Sequence, residues 1–153
     1  METLVAAGAG FLLAVLWFDL MHDVVVRGHP TDAPLPEPVL AMVAGYYRRV
    51  VVDAHPMNKL VASVMAVTLA GIVAELVAGA DPAWVPWASL VLAGGAIGLA
   101  GLRTVRAAGR LGRREDDLLT QSRLARQCFQ DHVVCLVAMA SVLAAQLLVA
   151  VRS

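Results

Sequence analysis

The chain has 153 residues, of which 59% are hydrophobic and 16% are charged, and its mean hydropathy is +0.73. A soluble domain is usually about half apolar and about a quarter charged, so this composition favours a protein with much of its surface in lipid. The formal net charge is zero, which excludes a bulk electrostatic attraction to nucleic acid. We predict a single membrane domain over residues 1–153, with the lipid bilayer as its first partner.

Four apolar segments are long enough to cross a bilayer as helices. A helix rises about 1.5 Å per residue, so about 20 apolar residues span the hydrocarbon core. The first segment continues from Leu4 to Val26 past Asp19, and the last, Val133 to Val151, contains no charged residue. The predicted spans are residues 4–26, 58–78, 85–105 and 128–151. We therefore predict an all-α integral membrane protein that folds as a four-transmembrane-helix antiparallel bundle.

A further helix is predicted between the first and second spans. The segment from Arg27 to Pro38 contains four prolines and a glycine, which is typical of a loop. Beyond it, residues 39–53 have apolar side chains at helical spacings of three and four, at Val39, Met42, Val43, Tyr46 and Val50. This helix is too short and too charged to span, so we predict an amphipathic helix that lies at the membrane interface.

Glycines mark two features of the second half of the chain. Gly94 and Gly98 form a small-xxx-small pair in the third span, which predicts close helix packing within the bundle. Gly109 and Gly112 predict the end of the helix that continues from this span. The acidic residues 115–117 then predict the first turn of the next helix, where the helix dipole favours negative charge.

The two cysteines, Cys128 and Cys135, lie seven residues apart on one predicted helix. Two turns of a helix separate such residues by roughly 10 Å, which is too far for a disulfide between them. We predict that both are small packing residues in the fourth span.

Basic residues lie almost entirely on one side of the predicted bundle. The connection between spans one and two and the connection between spans three and four carry eleven of the twelve Lys and Arg residues. The positive-inside rule places both connections in the cytoplasm and both ends of the chain outside. We therefore predict a bacterial-type inner membrane protein with this orientation.

This orientation brings polar residues of the first and last spans to the cytoplasmic end of the bundle. Asp19 and His22 are spaced i, i+3 and share a helix face, while Asp131 and His132 begin the fourth span. Ionisable groups within a span are costly and usually face the bundle interior. We predict His22, His132, Asp19 and Asp131 as catalytic residues and metal ligands. The two histidines could hold a metal ion or cap both faces of a haem.

Four more polar residues lie near this predicted site. Arg103 and Arg126 are predicted to hold an anionic or quinone-like ligand, and His55 and Asn58 are predicted to form its rim. The sequence contains no zincin motif, Walker loop, Cys-x-x-Cys pair or nucleophile elbow, so no motif identifies the cofactor or the reaction.

Glu75 stands apart, near the opposite end of the second span. We predict that this carboxylate lies at the membrane interface. A role in a proton relay is the alternative interpretation.

The leading hypothesis is a membrane protein that binds a metal ion, a haem or a small ligand at this site, with membrane oxidoreduction as its activity. Two alternatives remain open. The same residues could form structural ion pairs, such as Asp19 or Asp131 with an arginine, in an accessory subunit or oligomeric scaffold of a larger complex. A small transporter or channel, built as a homo-oligomer around Asp19 and Asp131, is the third hypothesis.

Overall fold

The computed structural model describes residues 2–53 and 56–151. These residues form helices joined by short connections, and no strand occurs among them. The α-helices are α1 (Glu2–Asp23), α2 (Glu37–Tyr47), α3 (Met57–Val77), α4 (Trp84–Leu99), α5 (Val105–Arg113) and α6 (Leu118–Ala150). The all-α prediction is therefore confirmed.

Four helical segments are long and apolar enough to span a membrane, as predicted. They are Thr3–Gly28, Met57–Val77, Trp84–Arg113 and Leu118–Ala150. The last two extend beyond the predicted spans at residues 85–105 and 128–151. The reason is that the arginine-, alanine- and leucine-rich stretches next to those spans are good helix formers, so the helices continue past the apolar residues.

Two hydrophobic cores lie on either side of a polar layer in α6. Cys128 packs in the first core with residues of α2 and α5, and Cys135 packs in the second with residues of α1, α3 and α4. Both cysteines are free and buried, as predicted. Asp131 and His132 lie between the two cysteines along α6, so their side chains are placed between the cores.

The predicted interfacial helix over residues 39–53 corresponds to α2 and a π-helical turn, Arg48–Val52. The buried side of α2 differs from the prediction, since Met42 is exposed. The residues that are buried are Leu40, Val43, Ala44 and Tyr47. This side packs against α5, which extends beyond the third apolar span and offers a protein surface to α2.

The helix predicted to end at Gly109 and Gly112 ends one residue later, at Arg113, and the chain turns at Arg114, whose φ of 55° lies in the left-handed region. Gly112 also has a packing role. A Cβ atom there would lie 2.8 Å from the backbone nitrogen of Arg48, so the absence of a side chain lets α5 approach this turn closely.

A pair of glycine substitutions in α5 tests this close approach. We expect Gly112→Ala to lower the free energy of unfolding by about 1–3 kcal/mol, because backbone atoms must move to admit the methyl group. Gly109→Ala is the matched control, since the nearest atoms, 3.5 Å away or more, belong to side chains. Alanine should there raise stability by about 0.5–1 kcal/mol through helix propensity. Unfolding curves in one detergent measure both, and equal effects would contradict the packing role.

The glycines of the third span do not pack within the bundle, so that prediction is wrong. A Cβ atom would meet no other part of the protein within 4 Å at Gly94, Gly95, Gly98 and Gly101. Close packing occurs between α1 and α3 instead. A Cβ atom at Gly8 would overlap the Thr68 hydroxyl, and one at Gly71 would lie 3.0 Å from Val5.

The start of α6 follows the prediction from residues 115–117. Asp117 is the N-cap, and its carboxylate accepts hydrogen bonds from the backbone nitrogen and the hydroxyl of Thr120 at 2.9 and 2.8 Å. These bonds hold the pKa of Asp117 below its ordinary value. The preceding residue, Asp116, is paired with Arg110, which fixes the turn between α5 and α6.

Glu37 ties the start of α2 to the same turn. Arg114 Nη2 donates to Glu37 Oε2 at 2.9 Å and lies 2.8 Å from Oε1, and this hydrogen bond holds the pKa of Glu37 below its ordinary value near 4.5. A lowered pKa stabilises the fold above the ordinary value, and that stability is lost as the pH falls through the lowered pKa. We expect wild type to melt slightly above Glu37→Gln at neutral pH and at the same temperature in strong acid. A difference in melting temperature between wild type and Glu37→Gln that grows as the pH falls would contradict the pairing of Glu37 with Arg114.

Candidate functional site

A polar cluster joins α1, α2 and α6 between the two hydrophobic cores. We define this polar cluster as Asp19, Asp23, Tyr46, Tyr47 and His132. His132 Nδ1 lies 2.7 Å from Asp23 Oδ2, and His132 Nε2 lies 3.7 Å from Asp19 Oδ2. The imidazole therefore lies between two carboxylates of α1, which are four residues apart and face α6 together. Asp23 is 0% exposed and His132 is 7% exposed.

Two tyrosines of α2 complete the polar cluster. The Tyr47 hydroxyl lies 2.7 Å from both oxygens of Asp23, and the Tyr46 hydroxyl donates to Asp19 Oδ1 at 2.6 Å. Burial, reinforced by the neighbouring carboxylates, raises the pKa of both tyrosines above the ordinary value. Both phenols therefore stay protonated and act as donors. A carboxylate only accepts, so His132 Nδ1–H is the donor toward Asp23.

The polar cluster forms one wall of a large cavity. The cavity has a volume of about 540 Å³ and is lined mainly by aliphatic side chains of α1, α3, α4 and α6. The polar residues in its lining are Asp19, Tyr46, Tyr47, Asn58, Thr104 and His132. No arginine or lysine is among the described lining residues. Such a cavity suits an apolar molecule with a small polar head, since its lining is mostly apolar and offers only a few polar groups for hydrogen bonds.

Asp131 does not join His132, although the two are adjacent in sequence. Its carboxylate faces the π-helical turn Ala100–Thr104, where Arg103 Nε lies 3.3 Å and Thr104 Oγ1 lies 3.1 Å from Asp131 Oδ2. The adjacent positions point about 100° apart on a helix, so each residue reaches a different neighbouring helix. Asp131 and Arg103 therefore form an ion pair of the kind that the structural alternative predicts.

Arg126 and His22 have contacts outside the cavity. Arg126 donates to the backbone oxygens of Pro30 and Ala33 at 2.5 and 2.9 Å, so it holds the proline-rich loop. The His22 ring stacks on Tyr46 with 3.8 Å between ring centroids, and its Nδ1 lies 2.9 Å from the Phe18 backbone oxygen. His22 therefore lies beside the polar cluster and packs against one of its members, Tyr46.

The two predicted rim residues have different outcomes. Asn58 lies in the lining of the large cavity, as expected for a rim residue. His55 lies outside the described residues.

The metal and haem hypotheses find no support among the described residues. No group of three or more His, Cys, Asp or Glu side chains in residues 2–53 and 56–151 is placed to hold a metal ion. Both nitrogens of His132 already face carboxylates, and His22 stacks on Tyr46.

Sequence reasoning missed three members of the polar cluster as site residues: Asp23, Tyr46 and Tyr47. Asp23 carried a usable signal, because it follows Asp19 by four residues and so shares its helix face. Tyr46 and Tyr47 carried no comparable signal, since tyrosine is equally common as an interfacial anchor.

Chemically, the polar cluster can store and exchange a proton. The imidazole lies between two carboxylates, and Asp19 and His132 also reach the cavity. A polar head placed there could receive or donate a proton at the imidazole or the carboxyl group. Comparison of the chain with models of protein families, with curated proteins and with solved structures gave no match.

Proposed function

We propose that the protein is an integral membrane protein whose four long helices form an antiparallel bundle. Large apolar side chains such as Trp17, Val91 and Val137 are exposed, and a soluble protein rarely exposes this much apolar surface. The order of contacts between α4 and α6 supports the arrangement. Thr104, in the π-helical turn after α4, contacts Asp131, while Ser89, in α4 itself, contacts Gln146, later in α6.

We further propose the orientation with the basic connections in the cytoplasm of a bacterial-type cell. Reporter fusions test it. Alkaline phosphatase fused after residue 151 should be active, because that end of the bundle lies outside the cytoplasm. The same reporter inserted after Arg113 should be inactive, and the reverse pattern would contradict the orientation.

For the activity, we propose that the large cavity binds a lipid-like molecule with a carbonyl or hydroxyl head, of which quinones are the natural class. The observation that carries this proposal is the uneven lining, which is mainly aliphatic and has four of its six polar residues, Asp19, Tyr46, Tyr47 and His132, in the polar cluster. The absence of Arg and Lys from the described lining favours the quinone-like ligand over the anionic ligand, the two alternatives that the sequence leaves open.

In the oxidoreductase version of the proposal, the bound quinone would take two electrons from a separate reduced electron carrier and two protons through His132 and Asp19, which converts it to the quinol. Tyr46 would act as a positioning residue, because its hydroxyl bonds to Asp19 Oδ1 and leaves the other oxygen toward His132.

A titration in lipid nanodiscs tests the binding proposal. We expect a soluble short-chain quinone to bind saturably to wild type, whereas an alkylbenzene of similar size should bind at least about tenfold more weakly, a loss of about 1.4 kcal/mol. Asp19→Asn should weaken quinone binding and leave alkylbenzene binding unchanged. Equal affinity for both ligands would contradict a role for the polar cluster.

One observation favours a second candidate, an oligomeric scaffold or accessory subunit. The glycines of α4 at Gly94, Gly95 and Gly98 meet open space, and small residues of this kind allow helices of two chains to approach closely. Chemical cross-linking in native membranes, with Gly95→Leu as the variant, tests it. An oligomer that Gly95→Leu disrupts supports the scaffold, and a wild-type monomer at all concentrations contradicts it.

A further inference from the structure

A second buried polar site lies far from the polar cluster. It consists of Glu75 on α3, Ser89 on α4 and Gln146 on α6, and these residues are 3%, 1% and 1% exposed. Gln146 follows His132 by fourteen positions on α6, which places the two sites about 21 Å apart along that helix. Glu75 lies two residues before the end of α3, as its predicted place near the end of the span requires, and its carboxyl group faces α4 and α6 instead of the surface.

The hydrogen bonds at this site leave two oxygens without a partner. Gln146 Nε2 donates to Glu75 Oε2 at 2.9 Å and lies 3.5 Å from Ser89 Oγ. Glu75 Oε1 and Gln146 Oε1 are both buried, and neither has a hydrogen-bond partner. Among the described residues, no Lys, Arg or His forms an ion pair with Glu75. A carboxylate in this setting would be a buried charge with a single donor, which is costly.

We propose that Glu75 is a proton-binding site. One proton on the carboxyl group removes the buried charge and supplies a donor where both unpartnered oxygens are acceptors. The protonated Glu75 then donates to Gln146 Oε1 while Gln146 Nε2 donates to Glu75. The acid and the amide thereby form two hydrogen bonds with each other, and one proton gives both unpartnered oxygens a hydrogen-bond partner.

A small cavity beside Glu75 offers the proton a route. Its volume is about 10 Å³, which is room for about one water molecule. The cavity extends from Glu75 and Gln146 to Asp81 and Pro82 in the connection between α3 and α4. Asp81, which is exposed, is the other titratable group among the described lining residues. From α4 and α6, the residues that face Glu75 are Ser89 and Gln146, which do not titrate.

Infrared spectroscopy of the intact protein in nanodiscs tests the protonation of Glu75 directly. The difference spectrum of wild type minus Glu75→Gln should contain the carbonyl band of one protonated carboxylic acid at neutral pH. That band should shift in heavy water and vanish as the pH is raised. Asp81→Asn is the matched control, because it removes the other acid of the small cavity and should leave the band in place.

Three results would overturn the proposal. The first is an ionised carboxylate band for Glu75 at neutral pH. The second is loss of the protonated band on addition of sodium at constant pH, which would assign the site to a metal cation. The third is a protonated band that emerges only in Arg152→Ala, which would assign Glu75 to an ion pair with that residue. If Glu75→Gln does not fold, Glu75→Met supplies the reference spectrum, since an apolar side chain of similar length replaces a buried polar one.

Discussion

Replacing His132 by leucine is expected to lower the free energy of unfolding by about 3–5 kcal/mol. His132 is the imidazole partner of Asp23, whose carboxylate is completely buried. Without the imidazole, that carboxylate keeps the Tyr47 hydroxyl and loses its only potential cationic partner among the described residues. Unfolding in a fixed detergent, followed by circular dichroism, measures the loss.

Two variants distinguish this pairing from a simple packing effect. Asp23→Asn combined with His132→Leu should recover about 1–3 kcal/mol relative to His132→Leu alone, because the unpaired buried charge is gone. His22 lies next to Asp23 at the end of α1, and its ring is half-buried and stacks on Tyr46. His22→Leu should therefore lower the free energy of unfolding by less than about 1 kcal/mol. A double variant that is no more stable than the single one would contradict the ion pair.

Filling the large cavity is expected to abolish quinone binding while the fold remains intact. Ala62 on α3 lines the cavity and is exposed, so a phenylalanine there can enter the cavity without displacing core residues. Ala66, one turn later, is also exposed but lies outside the cavity lining. We expect Ala62→Phe to weaken binding at least about 100-fold and Ala66→Phe to leave it unchanged, a difference of about 2.8 kcal/mol.

Titration of both variants with the short-chain quinone gives this comparison, and their melting temperatures show whether each is folded. Equal loss of affinity in both variants would show that the quinone binds at the lipid-facing surface of α3. Unchanged affinity in both would place the ligand elsewhere in the protein.

The parts of the fold that depend on apolar length were predictable from the sequence. The four long helices follow from uncharged stretches such as Val133 to Val151, and the start of α6 follows from the acidic residues before Leu118. The parts that depend on neighbouring helices were not predictable in the same way. Gly112 gives the same local signal as a helix-ending glycine, and only the approach of the Arg48 backbone reveals its packing role.

The position of the candidate site along α1 and α6 was predictable from the sequence. The identity of its residues was less predictable. The spacing of Asp19 and His22 predicts a shared helix face, and the orientation of the spans predicts that Asp19 and His132 lie at the same end of the bundle. The direction in which Asp131 points depends on where α4 lies, and the contribution of Tyr46 depends on how α2 folds back over α1. Neither relation has a periodic signal in the sequence, since both join segments far apart in the chain.

Photocross-linking with a short-chain quinone that carries a photoreactive group tests most directly whether the polar cluster and the large cavity bind one ligand. We expect cross-links in residues 46–51 and 58–65, which approach the cavity from the end of α2 with its π-helical turn and from α3. These cross-links should disappear in Ala62→Phe and persist in Ala66→Phe. Cross-links at outward-facing residues such as Val91 and Val137, equal in wild type and both variants, would contradict a shared ligand site.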